Sequence, residues 1–301
     1  MQRQQALNGM SARLALSGAG LGLKRELMPQ LQAEVPPAID FFEVAPENWI
    51  GIGGARAKQF AWFTERYPIV AHGLSLSLGG PDALDEVLLQ RIKGFLDQHR
   101  IPLYTEHLAY CSAGGHLYDL LPIPSTEEAV KHVAARIRRT QEILERRIAV
   151  ENASFYAAAP IADMSELDFI RAVLEEADCD LHLDVNNIYV NSVNFGFDPF
   201  EFLRALPGER TVYIHTAGHL QVEPDLIVDN HGDTVIDPVW DLLEEAYRLF
   251  GVAPTLLERD LNIPPLVELV PEVERIAALQ RKYTLKPEPV IQPQRTQRAQ
   301  R

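Results

Sequence analysis

The stretch Leu181-His-Leu-Asp-Val-Asn-Asn187 decides the reading of the fold. A short apolar run ends abruptly in a carboxylate and two amides. Working outward, the pattern recurs. Leu14–Ser17, Phe41–Val44, Ile69–His72, Leu103–His107, Ile148–Glu151, Leu181–Val185, Val212–His215 and Thr255–Glu258 make eight apolar or β-branched runs. Polar, Gly or Pro residues bound each run, and a helical pattern follows each. Ser125-Thr-Glu-Glu128 reads as a capping box ahead of Val130, Val133, Ala134 and Ile137 at helical spacing. Ser165-Glu-Leu-Asp168 opens another helix, and Asp82 opens a third carrying Leu84, Leu88, Ile92 and Leu96. Strand–helix alternation with no break in composition predicts the α/β class and a single (β/α)8 TIM barrel. An open doubly wound sheet would need a switch point, and the chain offers none.

The chain has 301 residues with 42 Asp+Glu and 28 Lys+Arg, so its formal charge is 28 − 42 = −14. That balance argues against nucleic acid as a partner and against docking on an anionic membrane. No apolar run approaches the roughly 18 residues of a spanning helix. The polar opening Met1-Gln-Arg-Gln-Gln5 does not resemble the core of a signal peptide. Cys111 and Cys179 are too few for a disulfide framework, so a cytoplasmic location is expected. Residues 1–12 read as a flexible N-terminus, 13–284 as the barrel domain and 285–301 as a disordered tail.

The last residues of the predicted strands carry the chemistry: Glu43, His72, Glu106-His107, Glu151-Asn152, Asp184 with Asn186 and Asn187, His215, and Glu258-Arg259. A TIM barrel builds its active site at these ends. Carboxylates and imidazoles converging on one rim would repel each other and resist leaving water. Bound cations resolve this, because metals take deprotonated oxygens and neutral imidazoles. Thr216–Asp237 shows no strong secondary-structure pattern and adds His219, Asp229, His231 and Asp233. Asp229 and His231 are expected on the same side of an extended segment. The donor set is nitrogen and oxygen without thiolate, which favours Fe, Mn or Zn and exceeds what one ion can use.

Other features read blandly. Gly18-Ala-Gly-Leu-Gly22 fails the dinucleotide fingerprint because residue 23 is Leu, and a turn at the barrel rim is expected there. His99 and His132 are expected to face solvent, and His182, deeper in the barrel, to be a satisfied core histidine or one that supports a ligand, and not a ligand itself. His116, His219 and Cys111 lie in loops near the rim, with roles open.

These segments also carry a resemblance. Gly18-Ala-Gly-Leu-Gly22, Phe42-Glu-Val-Ala-Pro-Glu-Asn48, His72-Gly-Leu-Ser-Leu-Ser-Leu-Gly79, Glu106-His-Leu108, Val150-Glu-Asn152, Asp184-Val-Asn-Asn187, His215-Thr-Ala-Gly-His219, Asp229-Asn-His-Gly-Asp233 and Glu258-Arg-Asp260 resemble, in order, the multinuclear non-haem iron-dependent oxidative enzymes. The resemblance implies a barrel with two or three irons in mixed Fe2+/Fe3+ states and O2 as co-substrate. It implies that His72, His107 and Glu151 hold one ion, and that Glu151, Asp184, His215 and Glu258 hold a second. Asn186, Asp229 and His231 would hold a third, with His107, Asp184 and His215 the catalytic candidates. It further implies oxidation of cysteine residues in a ribosomally synthesised precursor peptide, with a separate leader-binding partner protein. The alternative is a divalent-metal sugar isomerase or phosphodiesterase of the xylose isomerase-like type. A phosphodiesterase would want basic groups near its substrate, and no predicted strand ends in the Lys expected of an isomerase.

Overall fold

Parallel hydrogen bonding closes eight strands into one barrel in the computed structural model, which describes residues 16–159 and 161–284. In chain order the strands are β1 (Ala19–Gly22), β2 (Phe41–Val44), β3 (Ile69–His72), β4 (Leu103–His107), β5 (Tyr110–Ser112), β6 (His116–Leu121), β7 (Ala149–Glu151), β8 (Asp180–Asp184), β9 (Thr211–Ala217), β10 (Leu220–Glu223), β11 (Leu226–Val228) and β12 (Thr255–Glu258). The barrel runs β1-β12-β9-β8-β7-β4-β3-β2, while β5–β6 and β10–β11 form separate two-stranded sheets. The fold is the expected (β/α)8 barrel. The segments 1–12 and 285–301 lie outside the described residues.

The first strand corrects the sequence reading. It is Ala19–Gly22, pairing with β2 and β12, and not Leu14–Ser17, of which residues 14 and 15 lie outside the described range. Glycine is a poor strand former, which hid this strand behind an apparent turn. Its place here is steric. A Cβ on Gly20 would lie 2.3 Å from the ring of Phe41, so a larger residue would displace that ring from the barrel interior.

Other local expectations shift by a residue or a turn. The helix expected from Asp82 spans Glu86–His99, and Asp85 caps it by accepting from the Leu88 amide. Thr126, not Ser125, caps the helix Glu127–Leu144. Ser165 caps Glu166–Ala177 as expected. The patternless stretch 216–237 contains the hairpin β10–β11.

Helix faces pack on the barrel. Glu127–Leu144 buries Val130, Val133, Ala134, Ile137, Ile143 and Leu144. Each of the valine, isoleucine and leucine side chains contributes about 1.5–3 kcal/mol on leaving water. The same helix buries Arg136, whose guanidinium donates to the carbonyls of Asp82 (2.6 Å) and Ser77 (3.1 Å). It thereby pins the loop that follows β3.

The barrel interior is layered by the two-residue period of its strands. Phe41, Val70, Tyr213 and Leu256 form a buried apolar cluster, with the Phe41 and Tyr213 rings 5.9 Å apart. Two residues further along the same strands stand Glu43, His72, His215 and Glu258. The position of a polar layer directly above an apolar plug is therefore dictated by alternation alone.

Candidate metal centre

Seven barrel strands deliver a polar side chain to this upper layer: Glu43, His72, His107, Glu151, Asp184, His215 and Glu258, from β2, β3, β4, β7, β8, β9 and β12. Glu106, beside His107, points the opposite way. Its carboxylate accepts from the Tyr104 hydroxyl (3.0 Å) and the Leu76 amide (3.3 Å). Burial and the nearby Glu47 push it up to about 7.

Glu151 stands at the middle. Its Oε2 lies 3.2 Å from His72 Nε2 and 3.3 Å from His107 Nε2. Its Oε1 lies 3.4 Å from His215 Nδ1 and 3.7 Å from His182 Nε2. One carboxylate thus presents one oxygen to each of two imidazole pairs. Glu258 Oε2 completes the second group at 2.9 Å from His215 Nδ1. Asp184 joins Glu151, His215 and Glu258 in one cluster of donor atoms within 4.8 Å of one another.

The donors converge closely, with His72 Nε2 and His107 Nε2 3.1 Å apart. His107 Nδ1 donates to the Gly73 carbonyl at 3.1 Å, which leaves the Nε2 lone pair aimed at Glu151 and His72 when the ring is neutral. Among the described residues, His215 Nδ1, His231 Nε2 and Asp184 Oδ2 are buried without a hydrogen-bond partner, although carboxylate oxygens approach the two imidazole nitrogens at 2.9 and 2.7 Å. Close approach without hydrogen-bond geometry is the arrangement that cations placed between the donors would satisfy.

The electrostatics divide: against burial, neighbouring carboxylates push His72 up to about 9 and hold His215 and His231 well above the ordinary imidazole range, toward the protonated form that a bound cation would displace. Burial opposes ionisation of Glu151, but the surrounding imidazoles hold it well below the ordinary carboxylate range. Burial, with Glu151 and Asp229 beside it, pushes Asp184 well above that range. Burial and neighbouring His72 lower His107 to about 4, keeping it neutral as a ligand must be. A cation beside Asp184 would remove the conflict between it and Glu151.

The loop after β9 adds a third group. Asp229 Oδ1 lies 2.7 Å from His231 Nε2 and accepts from Asn186 Nδ2 at 2.8 Å. Asn186 Oδ1 accepts from His219 Nδ1 at 2.7 Å, and Ser154 donates to Asp229 Oδ2 at 2.8 Å. Asp229 and His231 do meet, but not through an extended segment. His231 has φ +48°, a left-handed turn that folds its ring back. Its Nδ1 then lies 3.4 Å from both Glu258 Oε2 and Asp260 Oδ2. The turn is seated on Gly218, where a Cβ would lie 2.1 Å from the Asp233 carbonyl oxygen.

All nine metal-ligand candidates, His72, His107, Glu151, Asp184, Asn186, His215, Asp229, His231 and Glu258, therefore fall in or beside one centre. Sequence reasoning did not assign three neighbours. Glu43 accepts from Tyr213 and faces His215 Nε2, both at 2.9 Å. Asp260 clusters with His231 and Glu258. Lys24, just past β1, pairs with Asp260. The strand-end rule pointed to Glu43, whereas Lys24 was hidden with the misplaced first strand. His182 lies deeper in the barrel, as expected, with Nε2 3.7 Å from Glu151 Oε1, but it is not hydrogen-bonded there. It is fully buried, and neither ring nitrogen has a hydrogen-bond partner among the described residues. His99 is half-buried against Phe60 and Phe95, and His132 is exposed with Nε2 2.9 Å from the Gly80 carbonyl. Both are away from the centre.

A cavity of about 420 Å³ leads in from solvent, bounded by Lys24, Arg25, Trp49, His72, Glu258 and Asp260. Among the described residues, no helix is long and apolar enough to cross a membrane.

A (β/α)8 barrel whose strand ends converge on clustered imidazoles and carboxylates defines the class: a barrel protein with residues able to hold several metal ions. Residues 18–281 match the family of RiPP precursor modification enzymes MbnB/TglH/ChrH, and the chain belongs to that family. A UPF0276 protein of Nitrosospira multiformis is 67% identical over 268 residues, covering 89% of this chain and 95% of that protein. A UPF0276 protein of Pseudomonas aeruginosa is 55% identical over 267 residues, covering 89% and 94%. Among solved structures, a xylose isomerase-like TIM barrel protein from Mycobacterium smegmatis in complex with magnesium has TM-score 0.59 at 10% identity, covering 90% of this chain and 98% of that one. The 3-keto-D-glucoside 4-epimerase YcjR from E. coli has TM-score 0.57 at 13% identity, covering 88% and 99%. At such identities the structural likeness establishes the barrel fold alone.

Proposed function

We propose that the protein is an iron-dependent oxidase that uses O2 to modify cysteine residues of a ribosomally synthesised precursor peptide. The observation that carries this reading is Glu151, offering opposite oxygens to two separate groups of ligand atoms. His72 and His107 would hold one ion with it, and Asp184, His215 and Glu258 a second. Asn186, Asp229 and His231 would hold a third. Bound iron would supply electron transfer to O2 and a Lewis-acidic position for the cysteine thiolate.

The chain's own residues do the rest. His107, held by the Gly73 carbonyl, and His215, facing Glu43, keep their rings oriented. Asp184 is fixed by its own Oδ1 accepting from the Asn187 amide (2.7 Å) and by Asn152, which bridges its backbone. The apolar plug beneath the layer keeps water from entering through the barrel floor. These three are the catalytic residues of the proposal. A separate protein would present the peptide's leader, and the reaction would take place in the cytoplasm.

The test is metal analysis and Mössbauer spectroscopy of anaerobically purified protein, followed by O2 uptake with cysteine-bearing peptides. Two or three irons and iron-dependent uptake are expected. Zinc or magnesium without iron-dependent uptake would instead favour the isomerase-like alternative.

A further inference from the structure

A second cavity, of about 550 Å³, adjoins the metal centre at Leu108 and Asn152, the residues after His107 and Glu151. Its wall is strongly aromatic, with Phe155, Phe169, Phe195, Phe197 and Phe202 all contributing. Glu166 enters this wall, and Asp198 and Glu201 stand in it too, while among the described residues no lysine, arginine or histidine lines it. Apolar side chains around the cavity remain uncovered: Phe195 is 38% exposed, and Tyr156 and Ile161 of the adjoining loop are 47% and 61% exposed.

We propose that this cavity docks a peptide segment bearing a bulky apolar side chain next to a lysine or arginine. The inference rests on the reading that the substrate is a peptide and specifies which part of it the protein grips. Three observations favour this occupant. The volume exceeds one side chain and lies in the range of ligand pockets, about 300–1,000 Å³. A wall with three carboxylates and no cation complements a basic residue, as does the chain's net charge of −14. Aromatic faces attract a cation as well as an apolar group. Glu166 is positioned for the cation. Its Oε1 accepts only the Asn191 amide, at 3.2 Å, and no ion-pair partner reaches it among the described residues. Burial already pushes its carboxyl up to about 7, so a cationic neighbour would relieve a strained ionisation.

The experiment measures fluorescence anisotropy of labelled peptides on the holoprotein under anaerobic conditions, with no cysteine in the probes. The parent probe is Gly-Phe-Lys-Leu-Lys-Phe-Gly. One control replaces both lysines by glutamate, and another replaces Phe and Leu by serine. The parent is expected to bind at least about tenfold more tightly than either control. Ala158→Trp, which fills the cavity from an exposed loop position, and Glu166→Gln are each expected to weaken it by about tenfold, with far-ultraviolet dichroism and iron content near wild type. Undiminished binding in Ala158→Trp, equal binding of the glutamate probe, or no binding of the parent would overturn the docking inference. Oxidation of cysteine peptides is measured in parallel. Oxidation that persists in those three cases leaves the proposed function standing. Docking without any iron-dependent oxidation upholds this pocket and removes the oxidase reading.

Discussion

Glu151 and His215 meet at 3.4 Å through Oε1, while the other oxygen of the same carboxylate faces His72 and His107. Replacing Glu151 by Gln should therefore remove ligation from two groups at once. Iron content of the anaerobically purified variant is expected to fall by more than one ion per chain. Loss of one ion alone would refute the shared role.

Stripping the metal should destabilise the fold. Burial, and then the charges of Glu151 and Asp229, raise Asp184 well above the ordinary carboxylate range, so ionising it is costly unless a cation stands beside it. A ligand that binds only the folded state adds about 2.7 kcal/mol at a hundredfold excess over its Kd. Calorimetry should show a lower melting temperature after chelation and recovery on anaerobic Fe2+ addition. An unchanged melting temperature would count against a built metal centre.

His107→Ala and Asp184→Ala are expected to abolish peptide oxidation while the far-ultraviolet dichroism stays native, because the barrel plug beneath them is untouched. Full activity in either variant would refute its assignment.

Glu166 makes a pH-dependent prediction. Its folded-state pKa of about 7 exceeds the ordinary 4.5, so the folded state holds the proton more tightly. Stability from this group is present at low pH and is lost as pH rises through about 7. Glu166→Gln should thus be more stable than wild type above pH 7, by roughly 1–3 kcal/mol. Near pH 4 the two should converge. Urea denaturation at both pH values checks this, and an advantage of equal size at both would contradict it.

Gly218→Ala tests the seat of the third group. The added Cβ would strike the Asp233 carbonyl and displace the loop that carries Asp229 and His231. A loss of roughly 2–3 kcal/mol is expected, together with reduced iron content. Retention of full iron would show that the loop can shift without cost to the centre.

Much of the site is legible in the sequence, for a physical reason. Strands of a parallel barrel are buried on both faces, so a polar residue at a strand end stands out against an apolar run. His72, Glu151, Asp184, His215 and Glu258 were visible that way. β1 was not, because Gly20 makes room for Phe41 and a glycine chosen for space looks like a turn. The meeting of Asp229 and His231 was anticipated by the wrong route, since a left-handed residue and not strand alternation produces it. The pairing of Lys24 with Asp260 joins positions 236 residues apart, beyond the reach of any local pattern.

The shared carboxylate has a consequence for supply. With Glu151 common to two positions, filling one would fix the carboxylate that the next ion meets while neutralising part of its charge, so the two occupancies would be coupled. Under the proposed function, the iron supply of a cell holding this protein would then act on both positions together and not on each by itself.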